Sequence, residues 1–444
     1  MIKPGRNRIA SLTTKSSSKI KNEWKWWIQG RFGMFIHWGL YALPARHEWV
    51  KSRERISDEE YQRYFDHFNP DLYEPKVWAK IARDAGMKYF VITTKHHEGF
   101  CLWNSDYTDY KVTNTPYGKD LLKPMVEAFR EEGLHVGFYY SLIDWHHPEF
   151  PVDRFHPMRD DKEFKEKSKG RDIRKYTQYL HAQVRELLTK FGRIDYIFFD
   201  FSYPDQDGKG RDDWQSEKLL KMVRQLQPHI LVNDRLDLND IPGGWDFKTP
   251  EQFMVREWIK VDGKPVFWET CQTFSGSWGY HRDESSWKST KQLLQMLIDT
   301  VSKGGNFLLN VGPTARGEFD WRAMDRLSGI GKWMKYHSRS IYNCTQGPEE
   351  FKAPQDCRLT YNSETKRLYV HIFAWPFKEL HLDGLAKRIN YAQLLNDASE
   401  IKFSQPRWQE YIGANKRIYK DTVTLQLPVQ KPDVAIPVIE LFLK

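Results

Sequence analysis

Six short apolar runs recur between residues 88 and 311, and helix-length amphipathic stretches separate several of them. The runs lie at 88–94 (KYFVITT), 134–140 (LHVGFYY), 194–200 (IDYIFFD), 229–233 (HILVN), 265–269 (PVFWE) and 306–311 (NFLLNV). Each is apolar at consecutive positions, as a strand covered on both faces must be. Between two of them Ile173, Tyr176, Leu180, Val184, Leu187, Leu188 and Phe191 follow a three/four spacing, and Gly192 supplies a stop. Leu293, Leu294, Leu297 and Val301 do the same ahead of Gly304 and Gly305. Strand and helix alternating over residues 30–340 predict a parallel sheet with helical crossovers. For that length a (β/α)8-like barrel is favoured over a doubly wound sheet, because no glycine-rich dinucleotide or Walker fingerprint follows any run.

Beyond residue 345 the texture changes. Short strand-like segments at 367–373, 379–383, 422–427 and 438–443 are separated by turn residues, and TVTLQL at 422–427 alternates strictly. The chain therefore divides into a basic, flexible tail (1–22), an α/β barrel domain (23–344) and a C-terminal antiparallel β-sandwich (345–444).

Several classes are excluded at once. No apolar stretch approaches the roughly 20 residues of a membrane-spanning helix. The four cysteines (Cys101, Cys271, Cys344, Cys357) are too far apart for a zinc ribbon or a disulfide scaffold. The net charge of +9 owes much to the first 25 residues, where seven basic side chains meet only Glu23. No zinc-finger or RNP-type motif accompanies it, so nucleic acid is not an expected partner. The first 22 residues lack the apolar core of a secretory signal. Taken as full length, such a chain is expected in the cytoplasm.

Chemistry in a parallel barrel sits at the C-terminal ends of the strands. There the sequence places His96, His97 and Glu98; Asp144 and Trp145; Asp200; Asn233, Asp234 and Arg235; Glu269; and Asn310. Asp200 ends an apolar strand and is the sharpest candidate, against the plain reading of a turn or cap aspartate. His96 and His97 raise the possibility of a metal, but neither an HExxH motif nor a facial triad is present. Aromatic residues are abundant (18 Trp, 22 Tyr, 26 Phe) and cluster with polar groups, as in HEW at 47–49 and WE at 268–269. Aromatic faces beside hydrogen-bonding groups suit carbohydrate. Glycoside hydrolysis requires two carboxylates. Besides Asp200, the candidates are Glu48, Glu251 and Glu269, and periodicity does not choose among them.

These segments also carry a family resemblance. The run FGMFIHWG at 32–39 with HEW at 47–49 resembles the opening of the family 29 α-L-fucosidases. So do AGMKYFVITTKHHEGF at 85–100, GFYYS at 137–141, Asp144-Trp145, NDR at 233–235, WETC at 268–271, SWGY at 277–280 and GGNFLLNVGP at 304–313. The resemblance spans about residues 31 to 317 in the family's order. It implies a retaining exo-hydrolase of terminal α-L-fucose acting on fucosylated oligosaccharides or glycoconjugates, with neither metal nor organic cofactor. It also implies the barrel and β-sandwich read above.

By the same resemblance Asp200 is the nucleophile, and Glu251, in TPE at 249–251, is the first choice for acid/base, with Glu269 second and Glu48 third. His37, Glu48, Trp49, His96, His97, Tyr139 and Arg235, with Trp278 nearby, would line the sugar pocket. One departure stands out: Phe201 follows Asp200 where the family commonly has glycine. It keeps open a related hydrolase for α-galactosides, and an inactive, lectin-like fucose binder is the rival from another class. Oligomeric state is left open.

Overall fold

The computed structural model describes residues 23–404 and 421–444. The basic tail expected over 1–22 lies outside the described residues.

Seven parallel strands form one curled sheet: β1 (Phe32–Ile36), β2 (Tyr89–Lys95), β3 (His135–Ser141), β4 (Tyr196–Asp200), β5 (Leu231–Val232), β6 (Glu269–Thr273) and β7 (Asn306–Val311). Their order is β5-β4-β3-β2-β1-β7-β6. The gap between the two edge strands is crossed by the extended segment 247–251. Its isolated parallel bridges join Asn233 to Phe247, Lys248 to Trp268 and Glu251 to Cys271. That segment stands in for an eighth strand, and the sheet closes as a TIM-like barrel.

Period-two alternation explains the closure. Phe35, Tyr89, Val91, Tyr139, Tyr196, Phe198, Cys271 and Leu308 share one apolar cluster inside the barrel. The residues between them, among them Met34, Phe90, Phe138, Ile197 and Leu309, join the larger core under the helices. Gly33 is needed at the narrow end, because a Cβ there would lie 2.4 Å from the Tyr89 ring that crosses the interior.

Helical crossovers link the strands: α1 (Pro75–Asp84), α2 (Leu122–Glu131), α3 (Ile173–Lys190), α4 (Ser216–Leu226), α5 (Thr290–Val301) and α6 (Trp321–His337). The α3 stripe expected from sequence is buried at Tyr176, Leu180, Val184, Leu187 and Leu188, with Asp172 capping its first turn. A capping box of Ser289 and Gln292 starts α5. No helix among the described residues is long and apolar enough to cross a membrane.

The C-terminal part contains two antiparallel sheets. One has five strands, ordered Thr345–Gln346, Cys357–Asn362, Arg367–Ile372, Val438–Leu443, Ile389–Leu394; the other pairs Val423–Gln426 with Glu379–Leu382 and Phe403–Ser404. Leu359, Val370 and Leu441 from the first sheet share a core with Leu380, Leu382 and Leu425 from the second, so the sheets pack as a sandwich.

One strand expectation is corrected. The run at 265–269 is not a barrel strand: Lys264–Pro265 pairs with Lys260–Val261 in a small hairpin, and β6 begins at Glu269. Phe267 and Trp268 instead pack beneath the barrel, where Phe267 meets Trp24 and Trp27.

Candidate active site

The C-terminal ends of the strands surround a cavity of about 120 Å³. Asp200, the last residue of β4, reaches it with both oxygens engaged. Oδ1 accepts from Arg235 Nη1 at 2.6 Å, and Oδ2 from the Tyr139 hydroxyl at 2.8 Å. Burial alone would raise its pKa; the Arg235 guanidinium and the Tyr139 hydrogen bond outweigh that and hold the carboxyl below its ordinary range. Asp200 is thus kept ionised although most of its side chain is covered.

Arg235 lies just past β5 and is fixed by Thr249, whose Oγ1 and carbonyl accept from Nε and Nη2 at 3.1 and 3.2 Å. Thr249 is held in turn by Asp234, which accepts from its amide and hydroxyl. The same guanidinium reaches Glu251 Oε2 at 2.8 Å. One cation therefore joins two carboxylates that come from different strands.

The histidines are neutral and oriented. Burial lowers His37 to about 3 and His97 to about 4, and takes His96 well below the usual value. Asn310 Nδ2 donates to the Trp278 carbonyl, which turns Asn310 Oδ1 toward His37 Nδ1 at 2.6 Å. Ser141 Oγ donates to the Ile143 carbonyl and so accepts from His97 Nδ1 at 2.7 Å. In both rings the proton sits on Nδ1, which leaves Nε2 as an acceptor. His96 Nδ1 is buried with no hydrogen-bond partner among the described residues. Such an atom is costly to leave unpaired and is suited to a ligand hydroxyl. Among the described residues no three His, Cys, Asp or Glu side chains are grouped as a metal site.

The cavity brings together His37, Trp49, His96, His97, Tyr139, Asp200, Arg235, Glu251 and Trp278. It does not bring in Glu269 or Glu48. Glu269 was expected at a C-terminal strand end, but β6 starts there, so it lies at the opposite end of the barrel. It accepts from Trp27 Nε1 at 3.0 Å, from the Tyr196 hydroxyl at 2.8 Å and from the Tyr89 hydroxyl. Glu48 Oε2 accepts from the backbone amides of Trp278 and Gly279 at 3.1 and 2.9 Å, and so positions the Trp278 loop from behind.

Phe35, Phe198 and Cys271 also line the cavity and were not singled out from sequence. Each lies on a strand, facing the barrel interior, and the two-residue steps from Phe35 to His37 and from Phe198 to Asp200 were the available signal.

A parallel barrel whose strand ends hold two carboxylates on one arginine, within walls of histidine and aromatic rings, is the construction of a glycoside hydrolase. The family model for alpha-L-fucosidase matches residues 6–339, and the chain belongs to that family of retaining hydrolases. It is 28% identical to the alpha-L-fucosidase of Dictyostelium discoideum over 94% of this chain and 91% of that one. Its fold is similar to alpha-L-fucosidase isoenzyme 1 from Paenibacillus thiaminolyticus, with TM-score 0.89 and 46% identity over 96% of this chain and 99% of that one. It is also similar to a Bacteroides thetaiotaomicron GH29 alpha-L-fucosidase solved as a trapped covalent intermediate with 2-fluoro-fucosyl fluoride, with TM-score 0.80 and 26% identity over 95% and 96% of the two chains.

Proposed function

We propose that this α-L-fucosidase hydrolyses terminal α-L-fucose from fucosylated oligosaccharides by double displacement, with Asp200 as nucleophile and Glu251 as acid/base. The observation that carries the assignment is Arg235, which contacts Asp200 at 2.6 Å and Glu251 at 2.8 Å. One guanidinium between them holds both carboxylates at the same cavity, as a pair flanking one glycosidic bond must be. Asp200, ionised and hydrogen bonded by Tyr139, attacks the anomeric carbon and forms a β-linked fucosyl-enzyme. Glu251 delivers a proton to the leaving oxygen and then takes one from the water that attacks the intermediate. To do so, Glu251 gives up Arg235 when substrate enters, and Arg235 stays with Asp200.

Neutral His37, His96 and His97 bind ring hydroxyls through their free nitrogens, and the C5 methyl rests on aromatic rings. A sugar without matching hydroxyls would leave buried polar atoms unpaired, which is the basis of selectivity here.

The anomer of an azide product separates the two roles. Asp200→Gly should lose nearly all turnover, and any product rescued by azide should be β-L-fucosyl azide. Glu251→Ala should still react with a good aryl leaving group, and azide should speed breakdown of the intermediate to α-L-fucosyl azide. Full activity of Glu251→Ala on a natural disaccharide would remove Glu251 from the assignment.

A further inference from the structure

Phe201 is the feature of this site that the chemistry above leaves unused. It follows Asp200 and has a φ of 78°. That region costs a residue with a Cβ roughly 1–2 kcal/mol, a cost glycine avoids. A phenylalanine kept there must be offset through its ring. The ring lines the cavity. It packs 4.9 Å from His97, 5.3 Å from Trp49, 4.9 Å from Phe155 and 5.2 Å from Tyr203.

Three of these rings form a closed triangle. Trp49 and Phe155 lie 5.9 Å apart, and each touches Phe201. They come from the loops after β1, β3 and β4, and all three remain half-buried, whereas His97 beneath them is fully covered.

The triangle is also held in place. Buried Asp153 accepts from the Tyr203 hydroxyl and from the buried ammonium of Lys209, which ties the β3 loop to the β4 loop. Ser52 Oγ donates to the Phe155 carbonyl at 2.7 Å and ties in the β1 loop. The Arg154 guanidinium lies 4.9 Å over Phe155 and is anchored on Asp205 and Asp207 at 2.9 and 3.0 Å. A surface fixed this firmly loses little freedom when a ligand settles on it.

We infer that Phe155 and Phe201, backed by Trp49 of the terminal-sugar pocket, form the binding subsite for the aglycone, a second pyranose on the far side of the bond that is broken. The inference rests on the proposed roles of Asp200 and Glu251: the terminal sugar fills the buried floor, and its aglycone leaves on the face away from Asp200, through the open mouth that Phe201 and Glu251 both line. Polarised C–H bonds on one face of a hexopyranose meet the negative faces of aromatic rings. The histidines and Arg235, by contrast, serve the hydroxyl-rich terminal sugar deeper in the cavity. The step from glycine to Phe201 thus trades backbone ease for recognition of the leaving group.

The test compares kcat/KM for the fucosyl-hexose disaccharide that the parent cleaves best with kcat/KM for α-L-fucosyl fluoride, whose leaving group has no ring. In Phe155→Ala and Phe201→Gly the disaccharide-to-fluoride ratio should fall at least tenfold, and Phe155→Tyr should preserve it. Phe155→Leu fills the same space without an aromatic face and should also lower the ratio, which keeps the test sound if the alanine variant misfolds. An unchanged ratio in all three disrupted variants, or equal losses on both substrates, overturns the subsite. Fluoride turnover persisting in Asp200→Gly would instead overturn the catalytic assignment.

Discussion

Arg235 is the side chain on which the electrostatics of the pocket turn. It sits half-buried between Asp200 and Glu251, and both carboxylates keep it charged against the pull of desolvation. Its removal should let the burial of Asp200 prevail, so the pKa of that carboxyl should rise. Because the ionised form attacks, the acid limb of the kcat/KM profile in Arg235→Met should move to higher pH. The plateau should also fall, on the order of 10²-fold, as when a preorganised charge-stabilising donor is lost. A pH–rate profile with an aryl fucoside checks both.

Glu269 is perturbed at the opposite end of the barrel from the cavity. Burial lifts it to about 7 from an ordinary 4.5, despite three donors. Below pH 4.5 the folded and unfolded chains are both protonated there. As pH rises from 4.5 to 7 the unfolded chain ionises first, so stability is lost over that window and reaches a deficit of about 3 kcal/mol. Glu269→Gln lacks this titration. Its Tm relative to the parent should climb between pH 5 and pH 8, and a constant difference would show that Glu269 titrates normally.

At the scale of elements, the part of the barrel that carries Glu251 is its least regular. The segment 247–251 is laddered on one side only. Backbone bonds such as Lys248 N to Phe267 O at 2.9 Å and Gln252 N to Cys271 O at 3.0 Å join it to 267–271, but toward β5 there is, among the described residues, just Asp246 N to Val232 O. By contrast, β1 to β4 form continuous ladders on both sides. Few ladder bonds mean cheap local opening. In hydrogen exchange, peptides covering 247–253 should exchange well before those covering 89–95, and an iminocyclitol inhibitor should slow them; equal protection in the free protein would contradict this.

The same irregularity marks where sequence stopped being legible. Runs such as YFVITT and YIFFD showed themselves because both faces of those strands are apolar. β6 reads ETCQT and hid, because its polar groups are satisfied locally: Thr270 and Gln272 both donate to the Phe253 carbonyl. The apolar PVFW beside it reads as the strand instead, and that reading carries Glu269 to the wrong end of the barrel. Candidate groups at the ends of regular strands, such as Asp200, could be placed from sequence. Those that act through loops, as Glu48 does on Trp278, could not, since spacing does not reveal which backbone amides a carboxylate will meet.

For the molecule as a whole, we propose that residues 345–444 form a second domain that depends on the barrel for its stability. The contacts between the two parts are specific, and each buries at least one partner. Trp333 of α6 donates to the Ile436 carbonyl at 2.8 Å, Arg358 meets Asp299 at 2.6 Å, and Arg339 meets the buried Glu440 at 2.9 Å. Tyr369, Ile436 and Val438 belong to the same apolar core as the barrel helices. Loosely tethered domains would share a wetter, more polar surface and unfold separately. Here separation would expose the Trp333 ring and leave Glu440 without Arg339. Calorimetry should therefore show one endotherm for the whole chain. Trp333→Ala, at a cost of about 3–5 kcal/mol, should lower that endotherm without splitting it, and a chain ending at residue 344 should fail to give a cooperative transition. Two resolved endotherms, or a stable barrel from the shortened chain, would show that the sandwich is an independent appendage.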